Sequence, residues 1–303
     1  MKILIQFLIC GCISASAQTQ FYFYNDRYYD RDFLFETGVS AGLMNALTDL
    51  GGNSGSGRKG MKDVNFSNNQ VCAGIYGLVH FRSMVSLRFQ YTHGRIRAFD
   101  SILQNKNNPT TGRYERNLSF ESAINELSLS FQLYPIHIFS KSEKPPLLSP
   151  FLSVGVGIFH FNPRAYLNGD SYALHELHTE GEGFAEYPER KNYALFQSNW
   201  LIGCGLRFEV SPKATLRMEF EYRVLLTDYL DDVSTSYIEP KLFKKYLPAE
   251  SVLAAYRLND RRGELDPAHE PAAGDKRGDP NQNDSYFNLE IKLGIVLGRE
   301  KIK

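Results

Sequence analysis

Four groups of residues in this sequence have types and spacings that could carry chemistry. The first is His175-Glu176-Leu177-His178, with Glu180 and Glu182 close behind. Two imidazoles three residues apart beside carboxylates form a donor set for a transition metal. The spacing is not H-E-x-x-H, and no helical pattern is evident to fix it, so the segment reads as a solvated polar loop. The second is Asp279-Pro280-Asn281-Gln282-Asn283-Asp284, with Glu290 at the twelfth position. It is similar to the start of a calcium loop, but Asp284 stands at the sixth position, where glycine makes the sharp turn. Glu290 also falls on an alternating segment, so this stretch reads as a turn leading into a strand. The third is Asp228, Asp231 and Asp232 around Tyr229; these suit side-chain caps and turns better than a cation site. The fourth is a set of histidines near segment ends, His80, His93, His137 and His160. A lipid-modifying enzyme would need a serine and a carboxylate beside one of them, and none has a convincing serine partner at short spacing. The sequence therefore assigns no catalytic, cofactor-binding or metal-ligating residue, and the chain is expected not to be an enzyme.

The elements that carry these residues alternate with period two. Val85, Leu87, Phe89 and Tyr91 interleave with Ser86, Arg88, Gln90 and Thr92. Leu127, Leu129, Phe131 and Leu133 do so with Glu126, Ser128, Ser130 and Gln132. The pattern recurs over residues 150–160, 199–210, 214–224 and 287–297, and less cleanly over 33–44. Residues 71–81 are apolar on both parities, which leaves their facing open. Eight strands of about ten residues match the length that a tilted strand needs to cross an outer membrane. A soluble sandwich also alternates. Here the polar parity mixes Gly and Ser with opposite charges such as Arg217, Glu219, Glu221 and Arg223. That composition suits a narrow closed lumen. The expected fold is all-β, an eight-stranded antiparallel outer-membrane barrel with long extracellular loops.

Composition agrees. The 303 residues carry 34 Lys+Arg against 34 Asp+Glu, which removes any global pull towards nucleic acid. Mean hydropathy is −0.34, too low for a helical membrane bundle. Yet 13% of residues are aromatic, with 21 Phe and 18 Tyr against one Trp, as strands and membrane girdles require. Residues 1–17 read as a signal peptide: a basic start, the apolar Ile3 to Ile9 run, and Ala15-Ser16-Ala17 before cleavage. A lipoprotein reading through Cys12 is the weaker alternative. Cys72 and Cys204 then remain, both inside alternating segments, as small buried or lipid-facing side chains.

The connections alternate in length. Residues 80–83 and 211–213 form tight turns, and 135–149 is longer but compact. Residues 45–70, 94–118, 162–192 and 227–285 are long, and in outer-membrane barrels the long loops face outward. Residues 51–57 form a Gly-rich flexible tract. Within 227–285, residues 242–256 suit a short helix interrupted by Pro248, and 260–284 has the composition of a mobile segment. The chain thus divides into a signal peptide (1–17), a periplasmic N-terminal segment (18–32) and a barrel (33–303). Eight strands leave room only for side chains in the lumen. Arg88, Glu126, Arg207, Glu209, Arg217, Glu219, Glu221, Arg223, Glu290 and Lys292 already claim that space, so a transport pore is not expected.

Several stretches resemble a known family. Glu36-Thr37-Gly38-Val39-Ser40-Ala41-Gly42 followed by Leu47-Thr48-Asp49-Leu50-Gly51 is similar to the first strand and loop of the PorG-like outer-membrane barrels. So are the stretch from Pro150 to Gly157, Leu226-Thr227-Asp228-Tyr229-Leu230-Asp231-Asp232-Val233-Ser234, and Lys276-Arg277-Gly278-Asp279-Pro280 before Asn283-Asp284-Ser285-Tyr286-Phe287. The Thr227 to Ser234 stretch is the most specific. The chain departs from the usual terminal aromatic of such barrels, ending Arg299-Glu300-Lys301-Ile302-Lys303. The resemblance implies a non-catalytic barrel that anchors or scaffolds a periplasmic type IX secretion complex at the outer membrane. Its implied partners are outer-membrane lipid and periplasmic secretion-ring proteins, with no nucleic acid, small-molecule substrate or cofactor. The periplasmic side, residues 18–32, 135–149 and the two tight turns, would supply the contact surfaces. The alternative is a surface adhesion or binding protein that works through its long outer loops.

Overall fold

The computed structural model describes residues 28–29, 32–52, 60–104, 112–139, 147–270 and 273–301. The signal peptide, nearly all of the 18–32 segment, most of the Gly-rich tract and residues 140–146 of the third turn lie outside the described residues.

Eight long strands follow the sequence pattern: β1 (Phe33–Leu47), β2 (Gln70–Phe81), β3 (Val85–Phe99), β4 (Ser119–Leu133), β5 (Leu148–His160), β6 (Phe196–Ser211), β7 (Ala214–Leu225) and β8 (Ser285–Leu297). Each pairs antiparallel with its sequence neighbours, and β8 pairs with β1 from Ser285↔Leu47 to Leu297↔Phe35. Closure leaves no open edge, which is what a sheet needs inside hydrocarbon. The strands run 12 to 16 residues, longer than the ten expected, because several continue past the apolar belt into the loops.

Burial decides between barrel and sandwich. The apolar parity is exposed and the polar parity buried, the inverse of a soluble sheet. Val39, Leu129, Val154, Ile202, Met218 and Ile291 face outward, as does Trp200, while Arg88, Glu126, Arg217 and Lys292 point inward. An exposed apolar band around a closed barrel with a charged interior is stable only in a bilayer, so the chain is an outer-membrane β-barrel. Among the described residues no helix is long and apolar enough to cross a membrane. The open facing of β2 resolves the same way: Cys72, Tyr76, Leu78 and His80 are inward, Val71 and Ile75 outward. Cys72 is buried and Cys204 lies exposed on the outward parity, each in one of its expected environments.

The short turns lie together at one end. Between β2 and β3, Arg82 and Ser83 both have positive φ, the two-residue hairpin that matches strand twist. Residues 211–214 close β6 onto β7 with a local register shift at Ala214/Thr215. A short helix, Pro135–Phe139, begins the third turn. The chain end returns to this side. Arg299 donates to Glu209 at 2.9 Å and to the Pro212 carbonyl at 2.9 Å, and Tyr28–Tyr29 pairs with Glu300–Lys301. By the general rule for such barrels this is the periplasmic end.

At the other end the long connections form one packed cap. It contains a small hairpin (Arg164–Leu167 and Asp170–Ala173) and, where a short helix over 242–256 interrupted by Pro248 is expected, a helical turn Phe243–Tyr246 and then the helix α1 (Ala249–Asn259), with Pro248 between them as the N-cap of α1. Segment 260–284, expected to be mobile, is exposed along residues 263–268 and 273–276 and is tied to the cap at points. Arg262 pairs with Asp260 at 2.8 Å and with the half-exposed Asp275 at 2.9 Å, and the buried Arg277 pairs with Glu180 at 2.9 Å.

Candidate functional site

The lumen, the natural place for a channel or an enclosed site, is filled by side chains. At the periplasmic end Glu36 on β1 is the hub. It accepts from Arg217 Nε at 2.7 Å and Nη2 at 3.0 Å, from Tyr76 at 2.8 Å and from Thr215 at 2.9 Å. Gly294 leaves room for this: a Cβ there would stand 2.4 Å from the Tyr76 hydroxyl. Midway, Arg88 bridges Glu219 and Glu221, and Lys292 meets Glu219 at 2.7 Å and Glu290 at 3.2 Å. Nearer the cap, Glu126 accepts from Arg223 at 2.9 Å, Asn199 at 2.7 Å and Tyr286 at 2.9 Å. The cations Arg88, Arg207, Arg217, Arg223, Lys292 and Arg299 balance Glu36, Glu126, Glu209, Glu219, Glu221 and Glu290. A buried charge is tolerated only when paired and hydrogen-bonded. A continuous water path would leave these side chains accessible, whereas Arg88, Glu126, Arg223 and Lys292 are wholly buried.

One arrangement inside the lumen resembles catalytic machinery. Ser86 lies 2.6 Å from His80 Nδ1, and His80 Nε2 lies 3.1 Å from Glu36. The expectation that no histidine has a serine at short spacing was therefore wrong. His80 and Ser86 are six residues apart but face each other across the β2–β3 hairpin. His137 likewise meets Ser149 at 2.8 Å. Access is what the arrangement lacks: His80 is 0% and Ser86 2% exposed, and the carboxylate is held by Arg217. A lipid substrate has no route to the hydroxyl in this structure.

The cap is a second core. Leu118, Phe120, Phe161, Leu174, Leu177, Phe184, Leu230, Val233, Phe243 and Leu258 join the inward residues Met44, Ile96 and Tyr286 in one buried cluster over the barrel mouth. The His175–His178 segment belongs to it and is not a solvated loop. Residues Leu174–Leu177 form one helical turn, and His175 Nε2 contacts the Tyr193 carbonyl at 2.9 Å. Glu180 accepts from the Ser234 and Thr235 backbone N–H groups at 3.0 and 2.8 Å while pairing with Arg277. Sequence reasoning missed this. The available signal was Leu174 and Leu177 flanking the histidines, an apolar pair at helical spacing.

The aspartates after β7 do cap turns, and they also gather other acids. Asp231 accepts from the Val233 N–H at 2.9 Å, and Asp232 from the Tyr193 hydroxyl at 2.7 Å. Asp284 accepts from the Leu230 N–H at 2.9 Å. Burial pushes Asp228 up to about 9 and Asp231 up to about 8, with the neighbouring acids adding to it. Asp284 rises for the same reasons. Burial thus shifts all three carboxylates towards the protonated form. Among the described residues no group of three or more His, Cys, Asp or Glu side chains is arranged to hold a metal ion. In the calcium-like stretch, Asp279 accepts from Gln282 at 3.0 Å and closes a turn, while Glu290 points into the lumen.

Beside this acid group the cap opens into a cleft of about 900 Å³. Its walls come from the outer ends of β1, β7 and β8 at Leu47, Tyr222 and Ser285, from the helical turn Arg113–Arg116, and from segment 275–284. Its lining cations are already engaged. Arg113 pairs with Asp63 at 3.0 Å, Arg116 with Asp100 at 2.8 Å, Arg262 with Asp275 and Arg277 with Glu180. Tyr237, 2% exposed, lines the cleft with a hydroxyl that has no hydrogen-bond partner. The Arg262 guanidinium covers its ring at 4.1 Å. A pocket of this size lies within the range of small-ligand sites.

No family model matches the chain, and no curated protein sequence does. Among solved structures, the chain is similar to Neisserial surface protein A, at 8% identity and a TM-score of 0.35, covering 88% of this chain and 98% of that one. It is similar to Ail, the attachment invasion locus protein of Yersinia pestis, at 8% identity and a TM-score of 0.37, covering 89% and 100%. It is also similar to the outer membrane protein OprG from Pseudomonas aeruginosa, at 10% identity and a TM-score of 0.36, covering 90% and 99%. At such identities only the course of the chain is shared, and nothing about ligand or partner is carried across.

Proposed function

We propose that this chain is a non-catalytic outer-membrane barrel whose working surface is its packed outer cap, with the cleft beside Tyr237 as a ligand site. The observation that carries this reading is the contrast between the two ends. The periplasmic end has short turns over a lumen closed by ion pairs. The outer end invests four long connections in a folded structure with a polar cleft. Functional sites commonly lie on such loops, held by a rigid scaffold. The enclosure of Ser86 and His80 supports the absence of catalysis; altered lipid A in a deletion strain would overturn that part. The binding role is tested by displaying the chain in an outer membrane and measuring attachment to surfaces and soluble glycans. Asn281→Trp at the exposed cleft mouth should abolish attachment without altering heat-modifiable migration; attachment unchanged by that substitution removes the reading.

A second reading is the type IX secretion anchor implied by the PorG-like resemblance. The residues similar to that family favour it. Their most specific stretch, Thr227 to Ser234, lies in the buried floor of the cap, where Leu230, Asp231, Asp232 and Val233 are enclosed. That likeness therefore supports a shared cap more than a shared periplasmic partner. Secretion of cargo in a deletion strain tests it. Normal secretion excludes the anchor, whereas a defect that Asn281→Trp repairs and charge-reversed Arg82 and Lys213 do not would support it.

A further inference from the structure

We propose that the cap cleft binds a hydroxyl-rich, uncharged glycan segment. This deepens the binding reading above and rests on it. Four observations lead to the ligand class. First, the acids lining the cleft are Asp49, Asp63, Glu115, Asp275, Asp279 and Asp284, against Arg113, Arg116, Arg262, Lys276 and Arg277. Ion pairs commit four of those five cations to carboxylates, and Lys276 stands 3.7 Å from Asp279. A polyanion would need unopposed positive charge and finds none here.

Second, the free hydrogen-bonding capacity is neutral. The Tyr237 hydroxyl is enclosed and unpartnered, a condition that costs stability unless something supplies the bond. Burial raises its ionisation to about 12 against the opposing pull of Arg277 and Arg116, so it stays a neutral donor and acceptor at physiological pH. Asn281, Gln282 and Asn283 bring side-chain amides to the same wall; each nitrogen already donates once, to Asp279 or to the Leu225 carbonyl, which leaves a second N–H and a carbonyl oxygen on each. Vicinal hydroxyls match such mixed groups, because each sugar hydroxyl also donates and accepts.

Third, the lining is poor in aliphatic side chains: Leu47 is the sole Leu, Ile, Val, Met or Phe on it. A hydrocarbon ligand would leave the polar wall unpaired. Fourth, the cleft reaches the barrel flank. Tyr222 and Ser285 lie on the outward parity at the outer strand ends, and the Tyr222 hydroxyl donates to Ser285 at 2.7 Å. Exposed Val224, and Leu226 just after the strand, carry apolar surface past Tyr222, so this wall stands beside the lipid-facing band. Two sources share the chemistry: the sugar headgroup of the surrounding outer leaflet and a soluble glycan from outside.

The test uses the full mature chain in detergent micelles, with binding followed by saturation-transfer NMR and calorimetry. The probes are maltohexaose, cellohexaose, chitohexaose and the delipidated core oligosaccharide of the host outer leaflet. Saturable binding of any probe supports the proposal, provided that Tyr237→Phe weakens it about three- to tenfold, the loss of one hydrogen bond. Asn281→Trp, on an exposed lining residue that bonds Asp279 within its own turn, should block it outright, with unchanged heat-modifiable migration showing that the barrel still folds. Binding of the core oligosaccharide alone assigns a leaflet headgroup, and binding of a hexasaccharide alone assigns an external glycan. No binding by any probe, or binding that both variants leave unchanged, overturns the proposal. If attachment to surfaces is still lost in Asn281→Trp while no saccharide binds, the cap remains the working surface and the glycan assignment alone fails.

Discussion

Replacing Glu36 by Gln should be among the most damaging single-atom-scale changes in the barrel. The carboxylate is wholly buried and neutralises Arg217 through two bonds, at 2.7 and 3.0 Å. Arg207 Nε stands 3.9 Å away and shares the same charge. Gln keeps the shape and one acceptor oxygen but removes the charge. The next carboxylate oxygen for Arg217 is on Glu219 at 3.7 Å, and Glu219 already serves Arg88 and Lys292. Removing one partner of a buried pair costs about 3–5 kcal/mol, because the other charge stays buried and unpaired. Urea unfolding in micelles measures this, followed by fluorescence of Trp200, the single tryptophan and 56% exposed on the lipid face. The companion variant Glu36→Met/Arg217→Met removes both charges and should recover most of the loss, since an apolar pair of similar volume is often neutral. A Glu36→Gln loss below about 0.5 kcal/mol, or a double variant worse than the single one, would refute the claim that the lumen is held by paired charges.

Three further outcomes are expected. Ile291→Arg, on the exposed lipid face, should cost about 2–4 kcal/mol in the same unfolding assay, whereas Leu253→Arg on the exposed face of α1 should stay within about 0.5 kcal/mol. The protein reconstituted in a planar bilayer should show no steady conductance above lipid alone, since the lumen charges are enclosed; a reproducible open level contradicts the filled lumen. The cap should lose stability as pH rises. Asp228 and Asp231 bind protons more tightly folded than unfolded, so the folded state loses its advantage between about pH 4 and their raised values near 9 and 8. Asp231→Asn should therefore raise the protease resistance of the cap at pH 9 relative to the parent chain, with the difference shrinking towards pH 5.

The barrel was readable because its rule is local. Period-two alternation in segments such as Val85 to Thr92 identifies which side chains share a face, and eight such segments close only one way. The lumen residues named from parity are all inside. What parity cannot supply is the partner. Glu36 and Arg217 are 181 positions apart, and only closure brings them together. The serine beside His80 escaped notice because hairpin register, not sequence adjacency, makes positions 80 and 86 neighbours. The cap was misread for a different reason. Polar composition in segments 175–182 and 260–284 normally signals solvent, but here Glu180 and Arg277 meet across 97 positions and are buried together. Charge in a long loop is ambiguous until its counter-charge is located: Arg277 finds its own on another loop, at Glu180, whereas Arg262 pairs within its own loop.

A working surface on the cap requires that this end of the barrel face outward. Epitope insertion at two positive-φ turn glycines of the cap, Gly169 and Gly274, where a side chain would meet open space, tests this with little risk to folding. A third insertion at Lys213 samples the opposite end. The tags at Gly169 and Gly274 should bind antibody on intact cells, and the tag at Lys213 only after the outer membrane is permeabilised. Surface detection at Lys213, or cap tags hidden until permeabilisation, would contradict the orientation and with it the reading of the cap as the working surface.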